Sequence, residues 1–158
     1  MSIPWYPCWA ISWQNPEASP PLIDTFLKHR PDERWAIAPD EVLTSEERVW
    51  SCWLKTVDQE ISGQQIARSI DVSMLCALHD TRRISDALNA SSITPLPNTV
   101  AWLLHIPVPD PVFMADQWPE SELRFPAHSQ EIERAAHRII EQLEAFLVPT
   151  RPSGTHGN

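Results

Sequence analysis

Apolar and polar positions alternate with two different periods along the chain. From Trp5, the series Trp5, Pro7, Trp9, Ile11, Trp13 puts one set of side chains on a single face of an extended segment, which predicts a half-buried strand. Pro4 and Pro7 have no N–H to give to a ladder, so this strand is expected at a sheet edge. Ser19, Pro20 and Pro21 mark a helix start, because proline is tolerated in a first turn. Leu22, Ile23, Phe26 and Leu27 then form its predicted buried stripe, and Pro31 stops it. Residues 34–38 predict a short second strand closed by Pro39.

Helical spacing takes over next. Thr44 and Glu47 have the separation of a capping box, and Val49, Trp50, Trp53, Leu54, Val57 and Ile61 recur on one face of a helix that ends near Gly63. A third helix is expected to follow directly, with Ile66, Ile70, Met74, Ala77 and Leu78 buried and Arg68 and Asp71 pointing elsewhere. Asp80 and Thr81 offer caps for a short fourth helix over residues 82–88. Residues 100–106 predict a strand that Pro107 terminates, and the proline-rich stretch 107–126 reads as a long loop with room for one more strand at 112–114. Ser129 caps a last helix, whose Ile132, Ala135, Ala136, Ile139, Ile140, Leu143, Phe146 and Leu147 form a broad apolar stripe ended by Pro149. Strands separated by unequal numbers of helices predict an α+β fold: a small mixed or antiparallel sheet packed with about five helices. The expected boundaries are one domain over residues 1–149 and a disordered tail over 150–158.

Composition removes several classes of function. With 3 glycines in 158 residues, two of them in the tail, no segment can supply a phosphate-cradling glycine loop. The apolar run 100–106 is far below the roughly 20 residues a membrane span needs, and the N-terminal residues lack a basic-then-apolar leader pattern. Three unpatterned cysteines suggest free thiols, so the chain reads as cytoplasmic. A formal net charge of −9 argues against coating nucleic acid non-specifically, since such binding is driven by phosphate neutralisation. A local basic site remains open.

Three constellations offer chemistry. Cys76 and His79 lie three apart, but zinc wants four ligands and no second pair is near, so no metal is assigned; a Cys-His nucleophile has no other motif in its favour. Eight tryptophans could stack on bases, yet Trp50, Trp53 and Trp102 fall on predicted buried positions. The sharper feature is Asp80-Thr81-Arg82-Arg83. Two cations at a helix start oppose its macrodipole, an arrangement that makes sense when an anion arrives between them. Arg48, Lys55 and Arg68 from the preceding helices could join such a phosphate site; the alternative is a solvated pair neutralised by Asp80 and Asp86.

The run from Gln65-Ile66-Ala67-Arg68-Ser69 through Leu78-His79-Asp80-Thr81-Arg82-Arg83-Ile84-Ser85-Asp86-Ala87-Leu88 resembles the central segment of the small KEOPS subunit that binds that complex's kinase-like ATPase. In that family an Ala-Lys/Arg-Ser helix start leads to a Gly-Thr/Ser-Arg-Gln-Ile-Ser-Glu-Ala turn and helix. Leu43-Thr44-Ser45-Glu46-Glu47 is similar to the family's upstream helix start. Asp80 stands where the family usually has Gly, and Arg83 where it usually has Gln. The resemblance implies a non-catalytic, cofactor-free subunit of the machinery that makes threonylcarbamoyl-adenosine in tRNA. Such a subunit would bind the single-stranded 3′ CCA tail through Arg48, Lys55, Arg68, Arg82 and Arg83. It would dock on the kinase-like ATPase through apolar residues, for which Ile84, Leu88, Leu143 and Leu147 are the candidates. A protein-only adaptor that has lost RNA contact is the alternative, and a Cys-His hydrolase the remote one.

Overall fold

In the computed structural model, which describes residues 5–18, 21–96, 99–109 and 129–148, four strands make one sheet: β1 (Cys8–Ser12), β2 (Trp35–Pro39), β3 (Ala101–His105) and β4 (Phe146–Leu147). Every pairing is antiparallel, and the spatial order is β2-β3-β1-β4. The α+β expectation holds, with five α-helices among the described residues: α1 (Leu22–His29), α2 (Glu46–Ser62), α3 (Ile70–Leu78), α4 (Ile84–Ala90) and α5 (Gln130–Gln142). None of them is long and apolar enough to cross a membrane. The suggested strand at 112–114, the tail at 150–158, and Ser19 and Pro20 lie outside the described residues.

Helices cover both faces of the sheet, which is why β1 and β3 are buried at every position instead of every second one. On one face Cys8, Ala10, Ala36 and Ala38 are small, and that leaves room for Trp50 and Trp53 of α2 beside Met74 and Leu78 of α3. The two indoles meet edge to face at 5.2 Å. On the other face Trp9, Ile11, Trp35, Ile37 and Leu103 pack against Leu22 and Phe26 of α1 and Ala136, Ile139 and Ile140 of α5. Buried indole N–H groups find acceptors: Trp13 on the Leu143 carbonyl at 3.1 Å, Trp53 on that of Pro107 at 2.9 Å, and Trp102 on Asp40 Oδ1 at 2.7 Å. Arg34 ties β2 to its surroundings through the carbonyls of Ile106 and Pro107 and a two-pronged contact with Glu60 of α2.

Several expectations need correction. β1 is not an edge: it lies between β3 and β4, and Pro7 sits just before it, where its carbonyl still accepts from His105 N–H at 3.0 Å although it has no N–H to return. The cap of α2 is Ser45, whose Oγ accepts from Arg48 N–H at 3.2 Å, one residue later than the cap expected at Thr44. Ile61 is exposed. α3 begins at Ile70 rather than directly after Gly63, and Asp71, expected to point away from the core, is buried against Arg30 at 2.8 Å. α4 starts at Ile84, after both arginines. Ser129 does cap α5, accepting from Ile132 N–H at 3.1 Å. That helix stops earlier than its stripe suggests, because Glu144 turns left-handed (φ 54) and Ala145 N–H folds back to the Ile140 carbonyl. Phe146 and Leu147 therefore leave the helix and pair with Ser12 and Ile11 of β1.

Candidate nucleic-acid interface

The turn between α3 and α4 carries the cationic feature singled out in the sequence. His79 closes α3, Asp80 takes the left-handed conformation (φ 53), Asp80 N–H donates to the Ala77 carbonyl at 3.2 Å and Thr81 N–H to that of Cys76 at 3.0 Å. This is the paired hydrogen-bond pattern that ends a helix with a left-handed residue. Thr81 Oγ1 then accepts from Arg83 N–H at 3.1 Å, which fixes the bend after which Arg83 occupies the position before α4. Arg82 and Arg83 are exposed, and among the described residues neither guanidinium pairs with a carboxylate. The expected neutralisation by Asp80 and Asp86 is therefore not made as ion pairs.

The other predicted cations, Lys55, Arg48 and Arg68, come from α2 and from the start of α3. Lys55 is exposed on α2. Arg48 is a structural clamp: its guanidinium donates to the carbonyls of Val42 at 2.9 Å and Leu78 at 2.6 Å, placing positive charge on the C-terminal end of α3. That use removes it from the predicted phosphate site. Arg68 precedes α3 while Arg82 and Arg83 follow it, so a nine-residue helix, about 14 Å long, lies between them. The structure thus keeps Arg82 and Arg83 together in the turn and leaves Arg68 exposed at the opposite end of α3.

The aromatic expectation is met for the core: Trp50, Trp53 and Trp102 are all buried. Trp5 is the exposed tryptophan among the described residues. Cys76 is buried within the α2–α3 core, and burial pushes its thiol up, the opposite of what a nucleophile requires. His79 Nε2 is engaged with Ser91 Oγ at 2.7 Å, and burial pulls its imidazole pKa down despite the pull of Glu41 in the other direction. No three His, Cys, Asp or Glu side chains gather into a possible metal site among the described residues.

For the docking candidates, Ile84 and Leu88 are exposed on α4, four residues apart and so on one face. Leu147 on β4 is 41% exposed. Leu143 is corrected: it is 1% exposed, packed among the α5 and sheet residues, and cannot meet a partner in this fold. A feature missed in the sequence is an apolar groove of about 440 Å³ bordered by Ile23, Leu27, Val72, Leu75 and Leu88. Its signal was available in α1, where four large apolar residues make a stripe broader than one helix face can bury. No protein-family model matches the chain, and no curated protein matches it.

Proposed function

We propose that this chain is a non-catalytic subunit of the tRNA threonylcarbamoyl-adenosine machinery, binding the tRNA 3′ CCA tail and docking on the kinase-like ATPase of KEOPS. The observation that carries the RNA role is the α3–α4 turn, where Arg82 and Arg83 stand exposed and unpaired with carboxylates among the described residues. A tail of a few nucleotides needs only a small basic patch, so a net charge of −9 is compatible with it. Support for the family comes from the motif over residues 65–88, and in particular from Asp80, which holds a left-handed backbone where that family usually has Gly. Ile84, Leu88 and Leu147 are the exposed apolar residues offered to the protein partner.

The deciding experiment is a gel shift with tRNA carrying or lacking its terminal CCA, using the native chain and the double variant Arg82→Glu, Arg83→Glu. Binding that needs both the tail and the two arginines supports the reading. A chain that binds the ATPase subunit but shifts no tRNA at low salt is the protein-only adaptor.

A further inference from the structure

β2 is an edge strand, and one side of it opens into the groove between α1, α3 and α4. Ile106 N–H donates to the Arg34 carbonyl at 2.7 Å, which sets the phase of the antiparallel ladder. Residues 34, 36 and 38 therefore turn their main-chain groups toward β3, and residues 35, 37 and 39 turn theirs outward. The outward carbonyl of Trp35 is already taken by Arg30 Nη1 at 3.0 Å, and Pro39 has no N–H. Ile37 alone is left with an outward donor and an outward acceptor, and it lines the groove.

We infer that this groove receives a short extended segment of another protein. One of its residues would exchange both main-chain hydrogen bonds with Ile37 and turn its side chain, on the same face as that of Ile37, toward Ile23 and Leu27, while apolar side chains on either side of it would meet Leu75 and Leu88. The two blocks fix a single register and bar a long strand, so β2 of a second copy cannot add there along its length. Three walls stay apolar without a cover: Ile23 is 44% exposed, Leu27 47% and Leu88 47%. Asp71 supplies charge selectivity. It is buried in the lining with Oδ2 on Arg30, while its Oδ1 has no hydrogen-bond partner. A Lys or Arg in the incoming segment would complete that carboxylate. The inference rests on no part of the RNA reading.

The test pans a random heptapeptide display library on the full chain and measures the enriched peptides by fluorescence polarisation. The expected consensus has two apolar residues spaced two apart with a Lys or Arg nearby. Ile23→Glu and Leu27→Glu, both at exposed positions, should each weaken binding at least tenfold without shifting the urea midpoint or the tRNA gel shift. Hydrogen exchange at the Ile37 amide should slow when peptide is bound. The proposal is overturned by any of four results: no consensus, affinity indifferent to both variants, a helical spacing of apolar residues with Ile37 exchange unchanged, or a native dimer that the two variants convert to monomer.

Discussion

Arg48 Nη2 donates to the main-chain carbonyl of Leu78 at 2.6 Å, across the junction of the second and third helices. A cation that looks like an RNA contact in the sequence is thus the cap of a helix C-terminus. Replacing Arg48 with Met strips that carbonyl and the one of Val42 of charged donors, and should lower stability by about 1.5–3 kcal/mol. Urea unfolding checks the loss, and tRNA affinity measured where the variant is fully folded should stay within about twofold of the native value.

Asp80 occupies a left-handed position that costs an L-residue about 1–2 kcal/mol. Asp80→Gly relieves that cost, less about 0.5–1 kcal/mol for the extra freedom of glycine when unfolded. The expected result is a chain more stable by about 0.5–1 kcal/mol, seen as a higher urea midpoint. The same substitution takes a negative charge away from Arg82 and Arg83, so tRNA should also bind more tightly at low salt, and titration by gel shift reads this directly.

If Arg82 and Arg83 each meet one phosphate of a single strand, replacing both with Ala should flatten the plot of log affinity against log salt by about 1.4, at about 0.7 per contact. Arg68→Ala, at the far end of α3, should leave the slope near its native value. Filter binding across a salt series measures both.

Burial keeps His79 neutral in the fold, with its pKa below the ordinary value. In the unfolded chain the imidazole gains a proton near pH 6.5. Its contribution is therefore complete above that pH and is lost as pH falls from about 6.5 toward the lower folded value. Urea midpoints followed from neutral to mildly acidic pH should fall more steeply for the native chain than for His79→Gln.

All three cysteines are buried. Burial raises the thiols of Cys52 and Cys76, so neither should react with a neutral-pH alkylating agent until denaturant is added. Rapid native labelling of Cys76 would restore the hydrolase reading.

Local features were legible in the sequence because their signals are local. Helical spacing around Trp50 and Trp53, the Ser129 cap and the proline stops at residues 31 and 107 all correspond to elements where expected, and the DTRR motif marks the turn that carries the cations. What failed depends on residues far apart in the chain. Nothing near Arg48 tells that its partner is the carbonyl of residue 78, and nothing near Pro7 tells that β4 arrives to cover the side of β1 away from β3. Phe146 and Leu147 continue the helical stripe in period, but one left-handed residue, Glu144, ends the helix before them. Ile23 and Leu27 fit the stripe of α1 too, yet the sheet is already met by Leu22 and Phe26, which leaves them on the groove.

The order of strands also governs when the nascent chain can fold. β1 and β2 share no ladder, and each pairs with β3: Cys8 waits for Leu104, and Trp35 for His105. Until the ribosome has released residues 101–105, the Trp-rich N-terminal half has helices and no sheet to lay them on. Such late, long-range closure makes folding slow and leaves apolar surface open to solvent in the meantime. A chain cut short before β3 should accordingly be a client of chaperones rather than a folded fragment.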